Sequence, residues 1–294
     1  MKTATIVGVG RLGGALAIAL DRAGIEIERL ITNRTPIDPN VFKAISTEPE
    51  IADLGYITEI TSTFLFITTS DNAIVKTAAS LSDRLRPFTV VFHCSGAYPS
   101  NILSGLSDLG NPTGSFHPLL SVSDPLTGAG MFREAYFCIE GDPRAVAAAR
   151  AVASALGGHV FSIDDSMRAL YHASAVMAAG HIAALIASAS RLMEFCGLDE
   201  EEAVKVLLPL VRSTVQNISA QGPSKALTGP FARGDKATIE RHLAAFDRQE
   251  LSTEKYVYLA LGMRSLELAN TDCLTGEVSE RLEQTIKMAM ADLR

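Results

Sequence analysis

The sequence predicts an α/β domain built on a parallel sheet, followed by an all-helical domain, and three observations carry that prediction. Short β-branched runs alternate with helical stretches through the first half of the chain, the pattern of strands returned in parallel by helices. From Asp165 to Arg294 long helical stretches dominate, punctuated at Gly197, Pro209, the Gly222-Pro223 pair and the Gly229-Pro230 pair. The chain, at 294 residues, is also long for a single hydrophobic core. The boundary is expected near Asp164, giving domains of residues 1–164 and 165–294.

Taken in order, Thr3 to Val9 reads as the first strand and Gly13 to Ala23 as the helix after it, stopped by Gly24. Ile27 to Thr32 is the second strand. Phe64 to Thr68 is another, with a helix over Asn72 to Ser80, and Thr89 to His93 is a further buried strand. A stretch rich in Gly, Ser and Pro then reads as a long loop. Phe137 to Ile139 returns as a strand, Asp142 to Leu156 as an Ala-rich helix ended by Gly157 and Gly158, and His159 to Ile163 as a strand. Ala169 to Leu192 reads as one Ala-rich helix. It carries Tyr171, His172, His181 and Arg191, so it falls short of an uninterrupted membrane span. A helix buried in protein on most sides is expected there.

Composition narrows the function classes. A hydrophobic fraction of 47% and a charged fraction of 20% suit a soluble globular protein. A net charge of -7 argues against a general nucleic-acid binder, because phosphate backbones demand dense Lys and Arg. Cys94, Cys138, Cys196 and Cys273 are far apart, with no zinc-type spacing. Reduced thiols in a cytoplasmic protein without metal are expected, and the first apolar stretch is too short for a signal peptide.

The chemistry begins at Val7-Gly8-Val9-Gly10-Arg11-Leu12-Gly13-Gly14, a G-x-G-x-x-G between a strand and a helix. In a dinucleotide-binding Rossmann turn, Gly8 permits the tight turn, Gly10 the approach of backbone to pyrophosphate, and Gly13 close helix–strand packing. The helix N-terminus, with Arg11 and Leu12, offers N–H groups to phosphates. The motif alone is weak, but the flanking strand and helix are the context it needs. NAD-selective sites place an acid at the end of the second strand. Here Asn33, Arg34 and Thr35 stand there, and Glu26 and Glu28 come too early. A cation with two hydrogen-bonding side chains suits a 2′-phosphate, so NADP(H) is expected. Thr69-Ser70-Asp71 follows the next strand, at the edge where such sheets meet the cofactor; Asp71 could equally cap the following helix.

Substrate-side candidates follow. His93-Cys94-Ser95-Gly96 leaves a strand at the same edge, and Ser115 and His117 lie in the long loop. Ser95, Ser115 and His117 are candidates for orienting substrate. His93 and His117 could as well be structural imidazoles, and Cys94 is more often packing than a reactive thiol. A Ser/His hydrolase would need a nucleophile elbow, G-x-S-x-G, which the chain lacks. Arg168 and His172 share a helix face, with Tyr171 beside them. His181, nine residues beyond His172, falls on roughly the opposite face of one helix, so the two build no metal site. Further on, Thr228 and Arg233 interrupt two helices and are candidates for an anionic substrate; a plain connector capped by Asp235 is the alternative.

These residues together resemble the Rossmann-like proteins with a DUF2520 domain, relatives of pyrroline-5-carboxylate reductase, ketopantoate reductase and the 6-phosphogluconate and β-hydroxyacid dehydrogenases. The resemblance spans nearly the whole chain. It rests on Gly8 to Gly14, His93-Cys94-Ser95-Gly96-Ala97, Gly114-Ser115-Phe116-His117-Pro118-Leu119, Ile139-Glu140-Gly141-Asp142, Ala169-Leu170-Tyr171-His172-Ala173, and Leu227-Thr228-Gly229-Pro230 with Arg233-Gly234-Asp235. It implies a two-domain architecture like that of 6-phosphogluconate dehydrogenase, NADP-linked oxidoreductase activity, and dimerisation through the helical domain. Two positions depart from the family pattern: Arg168 stands where Lys is common, and Gly180 where Asn is common.

The function expected is therefore a reductase. NADPH would deliver hydride to a C=O or C=N bond of a small carboxylate-bearing substrate, ketopantoate being the guess that kinship suggests. His172 is the first candidate for proton donor, Tyr171 the second, and Arg168 an oxyanion binder. The rival is a non-catalytic NADPH-binding regulator, which Arg168 and Gly180 favour. The apolar Ala169 to Leu192 segment suggests a homodimer.

Overall fold

The computed structural model describes residues 2–32, 37–269 and 276–293. The chain divides into two compact units, Met1–Ala179 and Gly180–Arg294.

The first unit is built on an eight-stranded sheet: β1 (Thr3–Val7), β2 (Glu26–Ile31), β3 (Glu50–Ala52), β4 (Phe64–Ile67), β5 (Val90–His93), β6 (Thr113–Pro118), β7 (Tyr136–Gly141) and β8 (His159–Phe161). Their spatial order is β3-β2-β1-β4-β5-β6-β7-β8. All neighbours run parallel except β6 and β7. The order reverses direction between β1 and β4, and such a switch point opens a crevice at the carboxyl ends of the strands. This is the Rossmann arrangement expected from the alternating pattern.

Strand alternation divides the core into two layers. On β4, Phe64 and Phe66 point to one face while Leu65 and Ile67 point to the other. The first face packs under the helices Arg11–Arg22 and Pro143–Ala155, through Leu16, Ile18, Ala149 and Val152. A row of rings, Phe66, Phe92, Phe116 and Phe137, fills it with successive centroids 5.2, 5.7 and 4.7 Å apart. The second face is covered by Ile74, Ala78, Leu81, Leu103 and Leu106. Every residue from Gly13 to Leu20 is buried. The short helix Pro125–Gly128 explains that run, since it packs on the side of Arg11–Arg22 away from the sheet, with Gly14 beside Pro125 and Gly128 beside Ala15.

The structure revises the sequence reading at three points. Thr113–Pro118 is a central strand, not part of a long loop. Its Gly114 and terminal Pro118 resemble loop punctuation, but Gly114 is needed because the carbonyl of Glu140 on β7 lies 3.0 Å from where a Cβ would stand. The Ala-rich segment is two helices, Arg168–Ala178 and Gly180–Glu194, broken at Ala179 (φ -123°, ψ -76°). His172 and His181 are therefore on different helices, and the one-helix face argument no longer applies. Nor is the segment buried on most sides: Leu170, Met177, Ile182 and Leu185 are exposed. By length and composition alone Asp165–Glu194 would suffice to cross a membrane.

Helix Arg168–Ala178 falls in the first unit, later than the boundary read from the change of period. The cause is polar: Arg168 is paired with Glu140 on β7, and Tyr171 with His117 on β6. In the second unit, Lys236–Arg248, Ser252–Ala269 and Gly276–Ala291 enclose a core of Ile239, Leu243, Leu259, Leu266, Leu282 and Ile286. The long helix Glu200–Gln221 starts at the Asp199 cap, whose side chain accepts from the Glu202 N–H at 2.8 Å.

Candidate active site

The glycine turn sits at the switch point. Gly8 N–H donates to the Ile31 carbonyl and Gly10 N–H to the Gly8 carbonyl, at 2.8 and 2.9 Å. From the neighbouring strand end, the Thr68 hydroxyl donates to the Gly8 carbonyl at 2.7 Å. The fold makes different demands on the three motif glycines. Gly8 has φ +98°, and a Cβ there would stand 2.8 Å from the Thr69 nitrogen. A Cβ on Gly13 would collide with the Gly8 carbonyl oxygen and the Thr68 hydroxyl. Gly10 has φ -92°, which any residue adopts, and nothing within 4 Å of its Cβ position. Neither backbone nor packing requires glycine at Gly10, and the space beside it is open. The helix Arg11–Arg22 has no side-chain cap and no acid in its first turn. Its first N–H groups and positive end thus suit an anion such as pyrophosphate.

A cavity of about 350 Å³ opens behind this turn, lined among others by Gly8, Gly10, Thr32, Thr68, Thr69 and Ser70. A second, of about 390 Å³, is lined by Arg11, Leu12, Asp71, Ser95 and His117 and shares Thr68, Thr69 and Ser70 with the first. Of the cofactor-side residues expected from sequence, Gly8, Gly10, Thr69 and Ser70 line the first cavity, and Arg11, Leu12 and Asp71 the second. Gly13 packs behind the turn. The Thr69 hydroxyl is buried without a partner, at the seam of the two cavities. Asn33, Arg34 and Thr35 lie outside the described residues, as does Cys273.

On β6, Ser115 and His117 point to one face, opposite Phe116. His117 Nδ1 lies 2.5 Å from the Tyr171 hydroxyl, and the His117 and His172 rings meet edge-on with centroids 6.3 Å apart. Burial, then His172, then Arg168 press the His117 pKa down to about 4, so its imidazole is neutral. Burial first, then Cys138, raises the Tyr171 pKa. A protonated Tyr171 donating to Nδ1 leaves the His117 proton on Nε2. Nδ1 of His172 is buried without a partner. Both imidazoles bear on Gly96: a Cβ there would come within 2.7 Å of His117 Nε2 and 2.9 Å of His172 Nδ1.

His93 is structural. Its Nδ1 accepts from the Ser95 N–H and its Nε2 donates to the Pro99 carbonyl, both at 3.2 Å. Burial lowers its pKa to about 4, against the opposing pull of that carbonyl. Both histidines thus bind protons in the unfolded chain below about pH 6.5 that the folded protein refuses until about pH 4. Stability then rises with pH across that window. The melting temperature is expected to fall from pH 6.5 to pH 4, and His93→Gln to flatten the decline; an unchanged slope would contradict the assignment.

Other candidates take different places. Ser115 is fully buried beneath Arg168, whose NH1 is 3.4 Å from its hydroxyl, so it is closed to substrate. Arg168 is 2% exposed. Its NH2 donates to Glu140 Oε1 at 3.0 Å, and it lines neither cavity, so it is not placed as an oxyanion binder. Cys94 lines the second cavity, but burial pushes its thiol pKa up, which suits packing. Thr228 and Arg233 are exposed in the second unit. There Asp235 caps the next helix through the Thr238 N–H at 3.0 Å, as the connector reading anticipated. Sequence reasoning passed over Gly96, Ser100 and Glu140. Gly96 and Glu140 stand in segments already singled out, but their partners are remote in sequence.

Residues 2–118 match the family described as Rossmann-like domain, and residues 135–264 the family described as DUF2520, a domain of unknown function. The chain thus joins a Rossmann-like domain to a DUF2520 domain. No curated protein matches it. A Bacteroides fragilis protein provisionally named an NADP oxidoreductase is similar in structure, with TM-score 0.75, 24% identity, and coverage of 90% of this chain and 98% of that one. A Thermotoga maritima protein has TM-score 0.68 at 23% identity, covering 92% and 99%. The Plasmodium falciparum pyrroline carboxylate reductase with NADP bound has TM-score 0.54 at 12% identity, covering 92% and 98%. At these identities the likeness is one of fold.

Proposed function

We propose that this protein is an NADP(H)-dependent oxidoreductase that reduces a C=O or C=N bond of a small substrate. The observation that carries the reading is the pair of cavities joined at Thr68, Thr69 and Ser70. One lies behind an uncapped glycine turn and takes the dinucleotide; the other holds Ser95 and His117 where the nicotinamide would emerge. The bound cofactor supplies hydride.

The chain's own residues do the rest. Gly10, the first N–H groups of Arg11–Arg22 and the Arg11 side chain hold phosphates, and Thr69 and Ser70 orient the cofactor across the seam. Preference for the 2′-phosphate rests on Asn33, Arg34 and Thr35 and on the missing acid after β2; Glu28, on β2 itself, already accepts from the Thr61 hydroxyl at 3.4 Å. His117 presents its Nε2 proton to the developing oxyanion or amide nitrogen. A neutral imidazole can do this, and Tyr171, bonded to Nδ1, holds the proton on Nε2. His172, first choice from sequence, stands beside His117 as the second imidazole of the site. A carboxylate-bearing, ketopantoate-like substrate, with Thr228 and Arg233 on its anionic end, is the finer part of the reading.

Thermal melts with NADPH, NADH and a panel of keto acids and imines test the proposal. A shift with NADPH that one substrate extends supports it; an extension by none favours the rival, a non-catalytic NADPH-binding regulator. That rival draws on Arg168, tied to Glu140 rather than facing substrate. A cytoplasmic homodimer completes the reading, because Ile182, Leu185, Val206 and Leu210 expose apolar surface on two long helices. Sedimentation at micromolar concentration is expected to give a dimer, and a monomer would refute that part.

A further inference from the structure

Glu140 gathers the hydrogen bonds of two separate parts of the candidate site. It stands opposite Ser115 in the β6–β7 pairing. Its Oε1 accepts from the Ser100 N–H and its Oε2 from the Ser100 hydroxyl, each at 2.6 Å. Oε1 also accepts from Arg168 NH2 at 3.0 Å. Ser100 closes the loop that carries Ser95 and Gly96. Arg168 opens the helix that carries Tyr171 and His172, three and four residues on and hence on its own face of that helix. One carboxylate therefore ties down both the loop on which the two imidazoles rest and the helix that supplies Tyr171 and His172.

We propose that Glu140 is a positioning residue: it fixes the His117–Tyr171 hydrogen bond and the His117–His172 contact over Gly96, acting through Ser100 and Arg168 without touching substrate. The inference deepens the oxidoreductase reading and rests on it for its meaning, but its geometry is testable without a substrate. The pair it forms with Arg168 is buried, with side chains 16% and 3% exposed. Removing Glu140 alone would leave buried Arg168 with only the more distant Asp165 carboxylate, at 3.8 Å, and removing Arg168 alone would leave Glu140 without its cation; replacing both with neutral groups of similar volume is often tolerated. Glu140→Gln combined with Arg168→Met is thus the informative variant.

The readout is the ring resonances of His117 and His172 in nitrogen NMR of the full chain, assigned with His117→Ala and His172→Ala. In the wild type, His117 is expected as a single neutral tautomer with its proton on Nε2. The double variant is expected to fold and to bind NADPH like the wild type, yet to lose that single tautomer and shift the His172 ring signals. A folded double variant with both rings at wild-type positions would overturn the proposal. Should the double variant not fold, Ser100→Ala, which removes one hydroxyl and strands no charge, is expected to shift the same signals; unchanged rings there would overturn it equally. Failure of the wild type to bind NADPH would strike the oxidoreductase reading alone, since the ring signals report the positioning independently.

Discussion

Replacing His117 with alanine is expected to reduce turnover by about 10²- to 10⁴-fold, the contribution of a positioned proton donor, while NADPH affinity stays at the wild-type value. The expectation follows from position. Among the residues lining the second cavity, His117 alone carries an imidazole, and Tyr171 stands behind its other nitrogen. Tyr171→Phe removes the hydroxyl that fixes the tautomer and should lower turnover by a smaller factor. His172→Ala should also lower turnover with cofactor binding intact. Because His117 stays neutral until about pH 4, the rate it controls should show no titration of this imidazole between neutrality and that pH. Steady-state kinetics on the substrate identified by the melts checks all of this. Full turnover by His117→Ala would remove it from the mechanism.

The second large effect separates glycines that look equivalent in the motif. Gly10→Ala should leave the melting temperature close to the wild type, since nothing stands within 4 Å of the new methyl and φ is ordinary. Yet it should weaken the dinucleotide at least about tenfold, roughly 1.4 kcal/mol, by holding the pyrophosphate off the backbone. Gly13→Ala should do the opposite in kind. Its methyl would press on the Gly8 carbonyl and the Thr68 hydroxyl, and overpacking of that sort costs about 1–3 kcal/mol or more of stability. Denaturant unfolding with calorimetric binding for each variant distinguishes the cases. A Gly10→Ala protein with unaltered affinity would mean that no phosphate approaches there.

What could be read from the sequence was what neighbours in sequence decide. The glycine turn, the strand before it and the helix after it depend on local backbone chemistry, and the period change after Asp165 marked the helical part. The strand Thr113–Pro118 was hidden because its glycine answers to the carbonyl of Glu140, on another strand. The break at Ala179 adjoins Gly180, but the Ala-rich apolar pattern runs on across it, and a single glycine within such a pattern is tolerated in a helix. Arg168 read as an oxyanion binder because nothing local reveals that its partner is Glu140. Gly96 drew no role from the sequence because its neighbours, His117 and His172, are remote in the chain. In each case the missing information was a tertiary contact, and those contacts are what assemble the candidate site.

The measurement that bears most directly on the central claim is calorimetric titration of the wild-type protein with NADPH and with NADH. Saturable binding of NADPH, tighter than NADH and lost in Gly10→Ala, is the predicted result. No binding of either dinucleotide would contradict the account at its base.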